Sequence, residues 1–374
     1  MSSPDLRSRL AVCVYAGWTV AVLSAYYVVP DALVSGIAAP IFGGGHAVDA
    51  AMSAARSLAG ALTVVLAAVA LGGMLTAGGR GPFESPAERV AYVLAFGFIA
   101  LSIVSQALAY LDLYTVSIVR AVVITLAVAG AVYAARARLL RTTMPHVRRA
   151  DVLFLVIAVV AGGFALIGSL APEVEYDALW YHLWLPQRWL DAGHPVDIIE
   201  EYVSLYPLSW DLAYGAALAV DGAGAAKLLH FACLLLVAAA TWLLCREIAP
   251  RASPACAVAV AVTTPTVLWE ATTAYVDLAL AWYVALAAYA SIRHARTHDQ
   301  RWFVISALAL GGAMAIKHLA LVAAAILGGA LVVARLRRDT VFNTVRHAML
   351  FTVIAVAVPL PWYARAYAAA GNPV

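Results

Sequence analysis

A chain of 374 residues with 64% hydrophobic side chains, 12% charged ones and a mean hydropathy of +0.88 has too few polar groups to cover a water-soluble globule of that size. The formal net charge of +3 arises from arginines gathered in short loops, so the basic balance implies no nucleic-acid partner. Cys13, Cys233, Cys245 and Cys256 lie in or beside apolar runs at no metal or redox spacing, and HExxH, P-loop and GxSxG motifs are missing, which leaves disulfide, zinc and nucleotide chemistries without support.

Apolar runs near the bilayer-spanning length of about 20 residues occur at Leu10–Val29, Ser57–Ala77, Val90–Ala109, Thr115–Ala134 and Val152–Ala171. After a polar interval they resume at Ala226–Cys245, Ala255–Trp269, Leu278–Ile292, Trp302–Ile316, Leu319–Ala334 and His347–Leu360. The expected fold is an all-α polytopic membrane protein of about eleven spans. The first run follows Arg7 and Arg9 but has no small-residue cleavage site, so it reads as a retained helix. With the amino terminus in the cytoplasm, 18 of the 24 Lys and Arg residues fall on the cytoplasmic side, the distribution that orients multi-pass proteins. The expected location is the inner (plasma) membrane.

Residues 1–150 read as a four-helix N-terminal membrane region in which nothing suggests chemistry. The arginine loop from Arg136 to Arg149 separates it from residues 151–374, where the polar residues concentrate. Between Pro172 and Ala225 lies the one long polar interval, on the outer side. It holds nine of the 21 carboxylates against a single arginine, Arg188, and no lysine. Trp180, Trp184, Trp189 and Trp210 suit the headgroup layer, where one ring edge is apolar and the other wet. Asp177, Tyr181, Trp184 and Arg188 recur at helical spacing, with Pro186 allowing only an interrupted helix and Gly193 ending it. Asp177 reads either as a group at the rim of a cleft or as an acid favouring a helix amino terminus. Tyr206–Val220 is too short for a comfortable span and reads as interfacial or re-entrant, because counting it as a span would export every later arginine loop.

The same orientation returns three further segments to the outside: Glu270 to Asp277, Lys317-His318, and Pro361 to Pro373 with Arg365. Acids (Asp177, Asp277) and bases (Lys317, Arg365) from separate helices thus gather on one side, where ionisable groups at membrane depth commonly face a cavity or a partner.

The run Tyr176-Asp177-Ala178-Leu179-Trp180-Tyr181-His182-Leu183, with Pro186 and Gly193, resembles the first outer loop of the GT-C-type integral-membrane glycosyltransferases, which include the protein O-mannosyltransferases and the lipid A aminoarabinose transferase. The order continues similarly through Tyr206-Pro207, Cys245-Arg246, Tyr275-Val276-Asp277-Leu278, Ile316-Lys317-His318, Pro361-Trp362-Tyr363 and Gly371-Asn372-Pro373. The likeness covers about 152 to 374. It departs at Ala178, where many relatives carry Glu after the Asp, and at the carboxyl end, where relatives often continue, which leaves room for a C-terminal part absent from this chain.

The resemblance implies an inverting glycosyltransferase that moves a sugar from a polyprenyl-phosphate donor to a glycan, lipid or protein acceptor on the extracytoplasmic face. It implies Asp177 as catalytic base and Asp277 as its companion, orienting hydroxyls or sharing a divalent cation. Lys317, His318 and Arg365 would hold the donor, and Tyr181, His182 and Trp184 the substrate. A lipid or solute transporter and a catalytically inactive subunit of the same fold are the alternatives; the first predicts broken helices and paired charges near the bilayer midplane.

Overall fold

The computed structural model describes residue 17 and residues 47–77, 81–137, 139, 148–198 and 200–373. The first expected span, Leu10–Val29, lies outside the described residues apart from residue 17. The rest is all-helical, with no strand among the described residues.

Three long helices come first: α1 (Ala47–Ala77), α2 (Pro86–Tyr110) and α3 (Val116–Arg136). The start of α2 is fixed locally, since Ser85 accepts from the Glu88 amide while the Glu88 carboxylate takes the Ser85 amide, and Pro86 at the first position gives up no helical bond. Next come α4 (Val152–Ser169), a wide turn at Ala178–His182, α5 (Trp184–Ala192) and α6 (Ser209–Val220). They are followed by α7 (Ala223–Ile248), the short pair α8 (Pro254–Val262) and α9 (Pro265–Glu270), and then α10 (Asp277–Thr297). The last four are α11 (Gln300–Met314), α12 (Ala320–Leu336), α13 (Val341–Ala357) and α14 (Leu360–Ala370).

Among the described residues, α1, α2, α3, α4 with its preceding turn, and α7 are long and apolar enough to cross a membrane, and α13 with α14 makes a sixth if that pair, bent by 72°, counts as one span. The chain is an integral membrane protein, but the expected eleven spans are not reproduced. Pro265 breaks the run Ala255–Trp269 into α8 and α9, and Pro359 with Pro361 bends the last one. A helix packed mainly on other helices need not be apolar all round, and the 21-residue α10, which buries Trp282, Tyr283 and Tyr289, has that character.

The segment expected to be interfacial or re-entrant is α6. At 12 residues it is about 18 Å long by the rise of an α-helix, and it packs against α1, α2, α3, α5 and α7. Nine of its twelve residues are buried, whereas a helix lying with one face on lipid leaves that face open. Two of the four tryptophans expected at the headgroups are likewise core residues. Trp189 lies against Tyr114 and Trp362, and Trp210 against Phe98. Their large apolar area is covered by protein, which outweighs the interfacial preference.

Charges separate to the two ends of α10. At its C-terminal end Arg293 pairs with Glu84 and lies over Trp302, and Arg296 pairs with Glu247 at 2.8 Å. At its N-terminal end, roughly 24–29 Å from those arginines by helix rise, Asp277 meets Lys317.

The first three helices approach at glycines. A Cβ on Gly72 would lie 1.8 Å from the Val93 carbonyl oxygen, one on Gly97 1.9 Å from that of Ala68, and one on Gly130 1.9 Å from that of Leu66. Alanine in a helix interior normally gains about 0.5–1 kcal/mol over glycine. Gly97→Ala and Gly130→Ala should instead destabilise by roughly 1–3 kcal/mol, since backbone must part to admit the methyl. Thermal melting in detergent measures this, and unchanged or raised melting temperatures would contradict the packing.

Candidate functional site

Asp177 directly precedes the wide turn Ala178–His182, in which the Leu183 amide reaches the Ala178 carbonyl at 2.9 Å, five residues back. Such single wide turns recur at functional sites. The extra residue breaks the helical phase expected from Asp177 to Arg188. Tyr181 and His182 turn inward and are buried, while Trp184 stays exposed and carries Arg188 over its ring at 5.5 Å. Pro186 is accommodated in the first turn of α5, and Gly193 ends that helix with φ +82°, a backbone open to glycine.

His182 is held from below. Its Nδ1 lies 2.7 Å from Asp211 Oδ1 of α6, and both residues are buried. Three residues on, Tyr214 donates from its hydroxyl to the Tyr275 carbonyl, and the Tyr275 ring lies beside His182, with centroids 5.8 Å apart. One face of α6 therefore grips the loop carrying Asp177 and the loop carrying Asp277.

α7 does the same with Lys227 and His230. Lys227 donates from Nζ to the Ala171 and Pro172 carbonyls at 2.9 and 3.1 Å, satisfying groups left open where α4 ends. His230 Nδ1 is 2.8 Å from the Glu270 carbonyl and 2.9 Å from that of Thr273, and its Nε2 is 3.1 Å from the Leu278 amide. Carbonyl partners require a proton on Nδ1, and the amide requires a lone pair on Nε2, so the ring works as the neutral Nδ1–H tautomer. Glu173 ties the two loops directly, accepting from the Ala274 amide at 2.7 Å.

What these supports bring together is an acidic cluster with one cation. Lys317 Nζ lies 2.8 and 3.0 Å from the two oxygens of Asp277, with both side chains about a third exposed (31% and 30%). Tyr181 faces Asp211, Asp177 and Asp277; burial first, then these carboxylates, raise its hydroxyl above the usual range. Glu270, at the end of α9, is only 7% exposed, and its Oε2 has no hydrogen-bond partner. Burial pushes its carboxyl up to about 8, the charge of Asp277 adds to this, Lys317 opposes it, and Asp177 adds a further contribution. His318 stacks on Tyr363 (centroids 5.7 Å apart) and meets the edge of Tyr206 at 5.1 Å, and burial lowers its basicity.

Of the residues singled out in the sequence, the structure gathers Asp177, Asp277, Lys317, Tyr181 and His182, with His318 adjoining Lys317 through the Tyr206 ring. It does not bring in Trp184 or Arg365. Arg365 is buried between Trp189 and Trp362, at 4.9 and 6.0 Å from their ring centroids, and pairs with Asp197. No three His, Cys, Asp or Glu side chains converge to hold a metal among the described residues, and Lys317 takes both oxygens of Asp277, so the two aspartates do not form a ready cation site.

The supports Asp211, Tyr214, Lys227 and His230, and the buried acid Glu270, carried no role in the sequence reading. A signal existed: Asp211, Lys227 and His230 are lone ionisable residues inside apolar runs, where such groups are costly unless engaged.

Residues 207–363 match the family model for dolichyl-phosphate-mannose-protein mannosyltransferases, a family of the GT-C type. The resemblance read from the motifs is thereby met over α6 to α14, a stretch that holds Asp211, His230, Glu270, Asp277, Lys317 and His318. Asp177 and its turn precede it. No curated protein and no solved structure matches the chain. The match supports a membrane glycosyltransferase of the GT-C type.

Glu270 gives this cluster a pH signature. Its carboxyl keeps its proton in the folded protein up to about pH 8, whereas in an unfolded chain it releases it near pH ~4.3. The folded state is therefore favoured at low pH, and this contribution is lost as pH rises from about 4 to 8. Glu270→Gln, which cannot ionise, should melt with a shallower decline across that window than the parent, measured side by side in detergent. Parallel melting curves at every pH would show that Glu270 is not held neutral.

Proposed function

We propose that the protein is an inverting glycosyltransferase that transfers a sugar from a polyprenyl-phosphate donor to an acceptor hydroxyl on the extracytoplasmic face of the inner membrane. The observation that carries this reading is the Asp277–Lys317 pair, with Asp177 of a separate loop within electrostatic reach of the same Tyr181 and Glu270, at the end of the bundle opposite the Arg293–Glu84 and Arg296–Glu247 pairs. Under the distribution of basic residues, the end with the arginines is cytoplasmic.

Each group has a task that suits its surroundings. The Asp177 carboxylate, in no ion pair among the described residues, accepts the acceptor's hydroxyl proton as that oxygen attacks the anomeric carbon. The bond from the anomeric carbon to the phosphate oxygen breaks as the new glycosidic bond forms, and a single displacement inverts the centre. The departing polyprenyl phosphate carries the negative charge, which Lys317 neutralises by turning from Asp277 to the phosphate. Asp277, released from Lys317, accepts hydrogen bonds from sugar hydroxyls. Tyr181, His182 and Tyr275 wall the space and keep the Asp177 turn in place.

Asp177→Asn keeps the shape but cannot take a proton. Turnover should fall by roughly 10² or more, the scale of lost general-base catalysis, with the melting temperature unchanged, measured as release of polyprenyl phosphate from radiolabelled lipid-linked sugar. Full turnover in this variant at saturating donor would overturn the mechanism.

The two outer cations separate by the same assay. Lys317→Met should raise the donor KM by an amount equivalent to about 1.5–3 kcal/mol. Arg365→Met should lower the melting temperature and leave the donor KM alone, since it empties a slot between Trp189 and Trp362. A donor effect in Arg365→Met without loss of stability would return Arg365 to the phosphate site.

A further inference from the structure

Beside Asp177 an exposed band of aromatic rings leads into the site. Tyr176, 70% exposed, lies 5.3 Å from Trp180, and Trp180 lies 5.9 Å from Tyr202, itself 59% exposed. Tyr202 continues to Tyr206 at 5.7 Å, and Tyr206 touches His318 beside Lys317. The indole of Trp180 is fixed by a hydrogen bond of 3.1 Å from its Nε1 to Glu201 Oε2.

Exposed aromatics on a membrane protein ordinarily anchor it in headgroups, but such anchors are rich in Lys and Arg, which anionic lipids attract. Here Glu175, Asp177, Glu200 and Glu201 neighbour the rings along the chain, while Asp197 and Asp211 of the same interval are taken by Arg365 and His182, and the interval's one arginine, Arg188, is committed to Trp184 on α5. An acidic rim repels phosphate headgroups and any anionic acceptor. It favours an uncharged occupant that presents C–H faces to rings and hydroxyls to carboxylates, as a saccharide does. A ring immobilised before the ligand arrives also loses little conformational freedom on binding.

We propose that Tyr176, Trp180 and Tyr202, with Glu201, form the acceptor subsite, and that the acceptor is a neutral saccharide. This rests on the glycosyltransferase reading and extends it to the acceptor's chemical class. The rings receive the sugar next to Asp177, and Glu201 accepts hydrogen bonds from its hydroxyls.

The test measures binding without turnover, so its outcome does not depend on the catalytic roles. Purified protein in nanodiscs is titrated with a panel of neutral oligosaccharides of four to six hexose or pentose units, with no donor present. At least one should bind, with affinity lowered roughly tenfold in Trp180→Ala and in Tyr202→Ala, the scale of a lost aromatic anchor. Trp184→Ala, an exposed indole on α5 outside the site, should bind the same oligosaccharide unchanged, which separates the subsite from loss of any exposed indole. A parallel arm compares fluorescence quenching by brominated lipids in the parent and in Trp180→Phe, and no quenching should be attributable to Trp180. Absence of binding by every oligosaccharide, equal affinity in the alanine variants, or quenching that reports Trp180 in lipid would each overturn the proposal.

Discussion

Buried polar side chains on two helices hold the loops that carry Asp177 and Asp277, and the rest of the site depends on them. Asp211 and Tyr214 on α6, and Lys227 and His230 on α7, each stand one helical turn apart and each reach backbone or side-chain groups of a loop. In a medium poor in water an unpaired carbonyl or amide is expensive, so loops at membrane depth must find partners inside the protein. The same bonds that satisfy those groups also fix where Asp177 and Asp277 lie. Loss of any one support leaves its partner unsatisfied in the bundle, which ties the stability of this end to the geometry of the site.

The charges at the end of the bundle where Asp277 meets Lys317 are unequal by design of the fold. Three carboxyl groups, Asp177, Glu270 and Asp277, lie within electrostatic reach of one another, and Lys317 is the cation among them. Lys317 cannot neutralise all three. Burial decides which one gives way, and Glu270, the most enclosed, keeps a proton well above the ordinary range of its side chain. The two aspartates are more open and so remain available to substrate. Arginine, by contrast, is used for structure at this end: Arg365 is stacked between indoles and paired with Asp197, a planar group in a planar slot.

Helix length and helix environment are coupled in the bundle. One face of α4, from Val152 to Ile167, and most of α12 are apolar and exposed, as lipid-facing helices must be, whereas α6 and α10 are enclosed by other helices. Asp211 and Tyr214 on α6, and Asp277, Arg293 and Arg296 on α10, thus lie on elements that composition ranks as poor spans, whereas Lys227 and His230 lie on α7, which is long and apolar enough to cross. α6 is the extreme case, too short to cross and too buried to lie on a surface.

The sequence by itself determined the membrane class and the helix limits of α1 to α4 and α7 within a few residues at most ends, because hydropathy and helix length act locally and add along the chain; of the four charged residues it expected on one side, Asp277 and Lys317 pair. Tertiary structure alone decided the rest. That Trp189 and Trp210 are core rather than headgroup residues depends on which helix faces cover them. That Arg365 holds the fold together while Lys317 meets Asp277 depends on what lies opposite each cation, and no spacing encodes it. The wide turn at Ala178–His182 rotates Trp184 away from Tyr181 against the helical period. Lone ionisable residues in apolar runs marked Asp211 and His230 as engaged, but their partners, 29 to 48 residues away, and the burial that keeps the Glu270 carboxyl protonated were set by tertiary packing.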